Sequence, residues 1–429
     1  MSEYKGYEKN SLAFLKDNKL KVGDSVKITS DLTYSGILMP RYESSDDEHV
    51  VLKLKNGYNI GLELNKIKKV EIISKNQLKI ETESKIKKDS SLPKILLLST
   101  GGTIASKIDY RTGGVTPALS AEDLNASVPE LAEIVNVDTE VLFSEYSENL
   151  MPEHWKKIAE RLDEIVNSGY HGIIIAHGTD TMQYTAAFLS FALAGYPIPI
   201  ALVGSQRSSD RPSTDAALNL IQAARFIVNC NTKGVFVVMH HNESDNLIAC
   251  HLGTRVRKNH TSTRGAFETI GGDPAFLVID KKIENNLKDD FFKINDYTPR
   301  IKLDTHVALV KYYPGFDAGI IDNLLSSGYK ALIFEGTGLG HIGKSMYDSV
   351  KKAREKKLFM GMTSQCIDGG VNMNVYESGR DLLEFGITPL SNLIPETALV
   401  KAMWALGNSE NSDEMKNLML ENIASEFSD

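Results

Sequence analysis

Two short runs place hydroxyl groups where they can do chemistry. The first is Ser99-Thr100-Gly101-Gly102-Thr103-Ile104, directly after the apolar stretch Ile95–Leu98. Paired glycines let a backbone approach a ligand closely and aim its N–H groups at an oxyanion. A threonine hydroxyl at the end of such a turn, Thr103, serves as a nucleophile if a neighbour lowers its proton affinity. The same letters also suit a tight strand-to-helix turn with a capping threonine. The second run is His177-Gly178-Thr179-Asp180-Thr181. A hydroxyl beside a carboxylate can position water and receive a substrate ammonium, although Thr179 or Asp180 can equally cap the helix that follows. His177 offers a general base, yet a histidine beside a glycine turn is more often structural.

The elements around these runs set where the side chains can point. Ile95–Leu98, Gly172–Ala176, Ile200–Val203 and Val235–Met239 are short, continuously apolar runs, the mark of parallel strands buried on both faces. Between them lie helical stretches. Trp155, Ile158, Ala159, Leu162, Ile165 and Val166 recur at helical spacing, with Pro152 near the start and Gly169 past the end. A second helix runs to Ala194 and a third spans Asp215–Val228. Alternating units of this kind predict an α/β fold with an open parallel sheet, whose ligand site lies beyond the carboxyl ends of the strands. That rule selects the loops Ser99–Ala105, His177–Thr181 and Gly204–Asp210. No GxGxxG follows a predicted strand and no P-loop lysine pattern occurs, which disfavours nucleotide binding by this chain. A smaller α/β block begins near His306, with strands at Val307–Val310, Ala331–Phe334 and Leu358–Met362 and helices around Ile320–Leu325 and Lys344–Glu355.

The first ninety residues read differently. Val26 and Ile28 alternate with polar residues, Gly36-Ile37-Leu38 suggests a second strand, and Val50, Leu52 and Leu54 alternate again. Asn56-Gly57 then supplies a type I′ turn, answered by Tyr58, Ile60 and Leu62, before Val70–Ile73. Several short strands this close together predict a small SH3-like or Sm-like β-barrel. Ser74–Ser91, rich in lysine and glutamate, reads as a tether. The expected domains are therefore 1–85, 92–290 and 305–429.

The 429 residues carry a net charge of −8, unevenly spread. Residues 1–93 hold 17 Lys/Arg against 14 Asp/Glu, leaving −11 on the remainder. An acidic body repels polyphosphates, so it is a poor main surface for nucleic acid. Cys230, Cys250 and Cys366 form no CxxC pair, which argues against a disulfide framework or a cysteine metal site and fits a reducing cytoplasm. No apolar run approaches the ~20 residues of a membrane span, and the first thirty residues lack the apolar core of a secretory signal. No membrane association and no metal site are expected.

Five segments together resemble the L-asparaginase family. Thr100-Gly101-Gly102-Thr103-Ile104-Ala105 and His177-Gly178-Thr179-Asp180-Thr181-Met182 are similar to its two signature motifs, in the family's order, each after a strand. Tyr146-Ser147-Glu148-Asn149-Leu150 resembles its substrate-binding loop. Thr254-Arg255-Val256-Arg257-Lys258 resembles the segment bearing its catalytic lysine, and Tyr110, ahead of Arg111-Thr112-Gly113-Gly114-Val115, resembles the tyrosine of its mobile lid. The likeness runs from about Lys94 to near the C-terminus. It implies a two-domain L-asparaginase-like fold behind the small barrel. By the same resemblance, Thr103 attacks a side-chain amide with help from Tyr110, while Thr179, Asp180 and Lys258 form a second cluster. Ser147 and Asp180 would hold the substrate's α-carboxylate and α-amino group. Glu148 stands where secreted asparaginases commonly carry glutamine. Choosing Lys258 over Arg255 or Arg257 rests on the resemblance alone, since that basic run also suits a solvated face.

Ordinary asparaginases begin almost directly at the Thr-Gly-Gly-Thr strand. The extra N-terminal segment, with Lys21–Ile28 and Gly57–Leu64, resembles a branch of the family, the D subunits of archaeal glutamyl-tRNA(Gln) amidotransferases. That branch implies a glutaminase passing ammonia to a partner E subunit, which binds the tRNA and activates glutamate with ATP and Mg²⁺. This chain itself would need no cofactor. It would form a homodimer core, in a heterotetramer, and meet Glu-tRNA(Gln) mainly through the partner. A free-standing L-asparaginase with an appended oligomerisation module is the alternative. A scaffold with a degenerate site is a third reading, opposed by competent side chains at all five catalytic positions.

Overall fold

A computed structural model describes residues 4, 6–39, 41, 46–54, 59–75, 89–101, 106–109, 114–117, 128–207, 214–287 and 296–428. The N-terminal part opens with a helix, Lys9–Asp17, too short for its Leu12/Leu15 spacing to stand out in the sequence. Five antiparallel strands follow: β1 (Ser25–Thr29), β2 (Thr33–Leu38), β3 (His49–Leu54), β4 (Asn59–Glu63) and β5 (Lys69–Ser74). Their spatial order is β4-β3-β2-β1-β5. Alternation works as the letters require: Val26, Ile28, Leu38, Val50, Leu52 and Leu62 turn inward onto Tyr7, Leu15 and Leu20. β3 and β4 pair from His49↔Glu63 to Lys53↔Asn59, as a hairpin demands. The Asn56-Gly57 turn itself lies outside the described residues, as does most of the expected tether.

The body is built on an eight-stranded sheet. Its strands are β6 (Lys94–Ser99), β9 (Asn136–Val141), β10 (Gly172–Ala176), β11 (Pro199–Val203), β12 (Gly234–His240), β13 (Leu247–Leu252), β16 (Phe276–Ile279) and β17 (Lys282–Asn285). Two small hairpins, β7 (Ser106–Asp109) with β8 (Gly114–Pro117) and β14 (Val256–Lys258) with β15 (Phe267–Thr269), stand apart from it. The sheet order is β17-β16-β13-β12-β11-β10-β6-β9. From β9 to β12 the strands are parallel, as the apolar runs predict. The sheet then continues through three antiparallel strands that the parallel reading omitted. Short connections cause the reversal at β12–β13 and β16–β17, because a parallel return needs a long crossover, whereas β13 and β16 are linked through the β14–β15 hairpin. Only Asp280 and Lys281 join β16 to β17, with Asp280 in the left-handed region at φ 52°.

Successive residues of the central strands feed opposite faces. Leu96, Leu98, Ile173, Ile175, Ile200 and Leu202 pack toward the helices Pro152–Glu164, Met182–Ala192 and Pro395–Gly407. Ile95, Leu97, Ile174, Ala176, Ala201 and Val203 face the helix Ala216–Asn229. Each such Leu, Ile or Val side chain contributes about 1.5–3 kcal/mol on burial. Met182–Ala192 is apolar on nearly all sides because it is enclosed between layers.

A second sheet of four parallel strands, β18 (Val307–Lys311), β19 (Ala331–Gly336), β20 (Phe359–Ser364) and β21 (Thr388–Pro389), completes the body. The helix Pro395–Gly407 joins its core to that of the larger sheet, with Trp404 stacked 5.7 Å from Phe191. The same helix carries Lys401, fully buried beneath the returning C-terminal tail. Its ammonium donates to the Met419 carbonyl at 3.0 Å, the Glu421 carbonyl at 2.5 Å and the Glu426 carboxylate. The ring of Phe427 covers it at 4.9 Å. Glu426 also accepts from the backbone N–H of Ile423 and Ala424. Among the described residues, no helix is long and apolar enough to cross a membrane.

Candidate active site

Strand register brings the starts of the three selected loops together. Ala176 of β10 lies between Ser99 of β6 and Val203 of β11, so the chains leaving these strands emerge side by side. The backbone ties them at once: Thr100 N–H donates to the Ala176 carbonyl at 3.0 Å, and His177 N–H to the Val203 carbonyl at 2.9 Å. Gly101 sits at φ 117°, and a Cβ there would fall 2.1 Å from the Glu145 carbonyl oxygen. Only glycine fits that approach. Thr103 and Tyr110 lie outside the described residues.

The His177–Thr181 loop is held from beneath by a neutral imidazole. His177 is fully buried, and burial pulls its pKa down to about 4 against the opposing pull of the Gly178 carbonyl. The Gly178 carbonyl, 2.6 Å away, can only accept, so the proton sits on Nδ1; Nε2 then accepts from the Thr185 hydroxyl at 2.8 Å. His177 is thus a strut under the loop, as the structural reading of its neighbourhood anticipated. Thr181 donates its hydroxyl to the Ser147 carbonyl at 2.7 Å, which brings the Tyr146–Leu150 segment alongside. Ser147 is buried there, whereas Glu148 is exposed in the 3₁₀ turn Ser147–Asn149.

The third component arrives from β14. Lys258 Nζ donates to Thr179 Oγ1 at 2.9 Å and to Asp180 Oδ1 at 2.6 Å. Its side chain is 8% exposed, while that of Asp180 is 68% exposed. The lysine is therefore sheltered, the threonine half-buried, and the carboxylate open to solvent. An ammonium on the Thr179 oxygen favours the deprotonated hydroxyl and leaves the hydroxyl proton free for another acceptor. The other two cations of the basic run are spent elsewhere. Arg255 donates to the carbonyls of Ile270 and Gly271, and Arg257 pairs with Glu396 at 3.1 Å.

The strand bearing Lys258 is anchored from the second half of the body. Thr254 donates its hydroxyl to the Ala424 carbonyl at 2.9 Å and receives that of Thr397 on its own carbonyl at 2.8 Å. With the Arg257–Glu396 pair, these bonds fix the strand on the approach to the lysine. Neither Thr397 nor Glu396 stands out in the sequence, because both sit in an unbroken helical pattern. Among the described residues, no group of three His, Cys, Asp or Glu side chains converges to hold a metal ion.

Three family models match successive stretches of the chain. Residues 94–290 match the model of the asparaginase N-terminal domain, 306–419 that of the glutaminase/asparaginase C-terminal domain, and 20–73 that of the GatD N-terminal domain. Over 423 residues the chain is 46% identical to the D subunit of glutamyl-tRNA(Gln) amidotransferase from Pyrococcus abyssi, covering 96% of each. It is 48% identical over 424 residues to the corresponding D subunit from Pyrococcus furiosus, again covering 96% of each. Among solved structures it is similar to the thermostable L-asparaginase from Thermococcus kodakarensis, with a TM-score of 0.70 and 30% identity. That match covers 78% of this chain and 99% of the asparaginase.

Proposed function

The chain belongs to the family of glutamyl-tRNA(Gln) amidotransferase D subunits, and on that premise we propose that it is the glutaminase of a tRNA-dependent amidotransferase. It cuts ammonia from glutamine for a partner subunit that converts Glu-tRNA(Gln) to Gln-tRNA(Gln). The observation that carries the reading is the Lys258–Thr179–Asp180 cluster at the carboxyl end of a parallel sheet, beside the glycine turn that leads to Thr103.

In this reading Thr103 Oγ attacks the side-chain amide carbon and Tyr110 assists removal of its proton. The carbon–nitrogen bond breaks, ammonia leaves with a proton, and an ester to Thr103 remains. Water oriented by Thr179, whose oxygen is held by the Lys258 ammonium, hydrolyses that ester to glutamate. The exposed carboxylate of Asp180 meets the substrate ammonium, Ser147 the α-carboxylate, and Glu148 adds a second negative charge on the ammonium side. ATP and Mg²⁺ belong to the partner's chemistry. A partner E subunit and a homodimeric core within a cytoplasmic heterotetramer are part of the same proposal.

The likeness to a stand-alone L-asparaginase over nearly the whole of that chain favours one alternative, a free asparaginase. One methylene separates the two substrates, and pocket shape decides between them. Ammonia release from glutamine and asparagine, measured with and without the partner subunit and charged tRNA, tests both readings. Release from glutamine that rises with partner and Glu-tRNA(Gln) is expected. Strong asparagine hydrolysis by the chain alone would replace the first reading by the second. Thr103→Val should lower turnover by orders of magnitude while the fold survives; near-normal turnover would remove Thr103 from the nucleophile role.

A further inference from the structure

Behind the β11 loop lies a buried polar cage that the proposed mechanism does not use. Asp215, Asn219 and His240 are all fully buried. The Asp215 carboxylate accepts from the backbone N–H groups of Gln206 and Arg207, each at 2.9 Å. The Asn219 amide donates to the Gly204 carbonyl at 3.0 Å and to Asp215 at 3.1 Å. Its nitrogen is then fully committed, so its oxygen must accept, and His240 Nδ1 lies 2.6 Å from it. That fixes the His240 proton on Nδ1. The Gly204 N–H points at the Met239 sulfur at 3.4 Å. The backbone from Gly204 to Arg207 is thus gripped at four points by side chains of one helix and one strand.

A carboxylate buried with only neutral donors is costly to keep, and three well-placed N–H groups are what make it tolerable. What the grip achieves is visible at Gly204. A Cβ added there would fall 2.7 Å from the methyl carbon of Thr179, 2.8 Å from Met182 Cε and 2.9 Å from the His177 carbonyl oxygen. The held backbone therefore closes off the space on the methyl side of Thr179. Packing of the Thr179 methyl against that wall favours the rotamer seen, which turns the hydroxyl onto Lys258.

We propose that Asp215, Asn219 and His240 are positioning residues, a cage that presses the Gly204–Arg207 backbone against Thr179 and so fixes its hydroxyl on Lys258. The consequence for turnover rests on the amidohydrolase reading above; the mechanical coupling between the two loops does not. Asp215→Asn places an NH₂ opposite a backbone N–H and releases one grip. His240→Leu removes the donor to Asn219, whereas His240→Asn places an amide N–H near the position of Nδ1.

The test combines amide hydrolysis with hydrogen exchange on the full chain with its partner. Asp215→Asn and His240→Leu are expected to lower kcat at least about tenfold with KM within about threefold. In both, exchange should quicken in 204–207 and in 177–181 alike, and His240→Asn should restore both readouts toward wild type. If Asp215→Asn fails to fold, the two His240 variants carry the comparison. Loosening of 204–207 with 177–181 unchanged would overturn the proposal, as would a loosened loop with unchanged kcat. A wild-type chain that releases no ammonia from either amide sinks the amidohydrolase reading, and the exchange results then decide the cage alone.

Discussion

Two lysine–carboxylate pairs in this molecule share their chemistry and differ in almost everything else. Lys401 and Glu426 are both 0% exposed, and every donor and acceptor around them belongs to the protein. Lys258 is 8% exposed, but its partner Asp180 is 68% exposed and keeps an oxygen for something else. A sealed pair has nothing to offer a substrate; it joins a helix to a tail. A half-open pair gains little stability, since its carboxylate stays in water, and it retains the capacity to bind and polarise. On the proposed function, what separates the reactive pair from the structural one is that one partner is buried and the other exposed, rather than the residue types.

The sharpest way to break this contrast is to remove one cation from each pair. Lys258→Met should cost about 10²–10⁴-fold in amide hydrolysis, the usual range for a group that handles a proton. The melting temperature should move by no more than about 3 °C. A variant that unfolds readily yet turns over normally would make Lys258 a second structural lysine. Lys401→Met strands the Glu426 carboxylate and should cost about 3–5 kcal/mol in stability, read by denaturant unfolding. Adding Glu426→Gln should recover part of that loss, because it removes the stranded charge, although its single amide oxygen can accept from only one of Ile423 and Ala424. A single variant as stable as wild type would mean that the sealed pair holds nothing together.

The smallest effect concerns protons. His177 beneath the open pair and His251 in β13 are buried neutral, with pKa values pushed down by burial to about 4 and about 3. The unfolded chain takes up protons near the ordinary histidine value of ~6.5, while the folded chain refuses them. Stability is therefore fully present above about pH 6.5 and declines as pH falls toward 4. His177 alone contributes at most about 3 kcal/mol to that decline. Melting curves between pH 7.5 and 4.5 should show it, and a flat profile would contradict the buried neutral state.

Much of this was legible in the letters. The apolar runs Ile95–Leu98 and Gly172–Ala176 are parallel strands because they are buried on both faces, and their carboxyl ends select the site loops. What local pattern could not supply is contact across long separations. Nothing near Lys258 distinguishes it from Arg257; a chain reversal places one ammonium on Thr179, seventy-nine residues away, and turns the other cation to Glu396. Lys401 reads as an ordinary helix lysine until the tail covers it. Asp215 and Asn219 do share a helix face at four-residue spacing, but what they hold is a loop from another strand. The antiparallel extension from β13 to β17 stayed hidden because its order is set by its connections, short links into β13 and β17 and the intervening β14–β15 hairpin, rather than by long apolar runs.

The tail that seals Lys401 also reaches Thr254, four residues before the site lysine. A ribosome delivers residues in order, so both lysines are made well before residues 421–426 exist to receive Lys401 or to brace Thr254. Until then Lys401 has no carboxylate, and the strand carrying Lys258 lacks one of its anchors. The alignment of that strand consequently depends on residues translated after it, and a nascent chain halted short of residue 421 would hold Lys258 without this anchor.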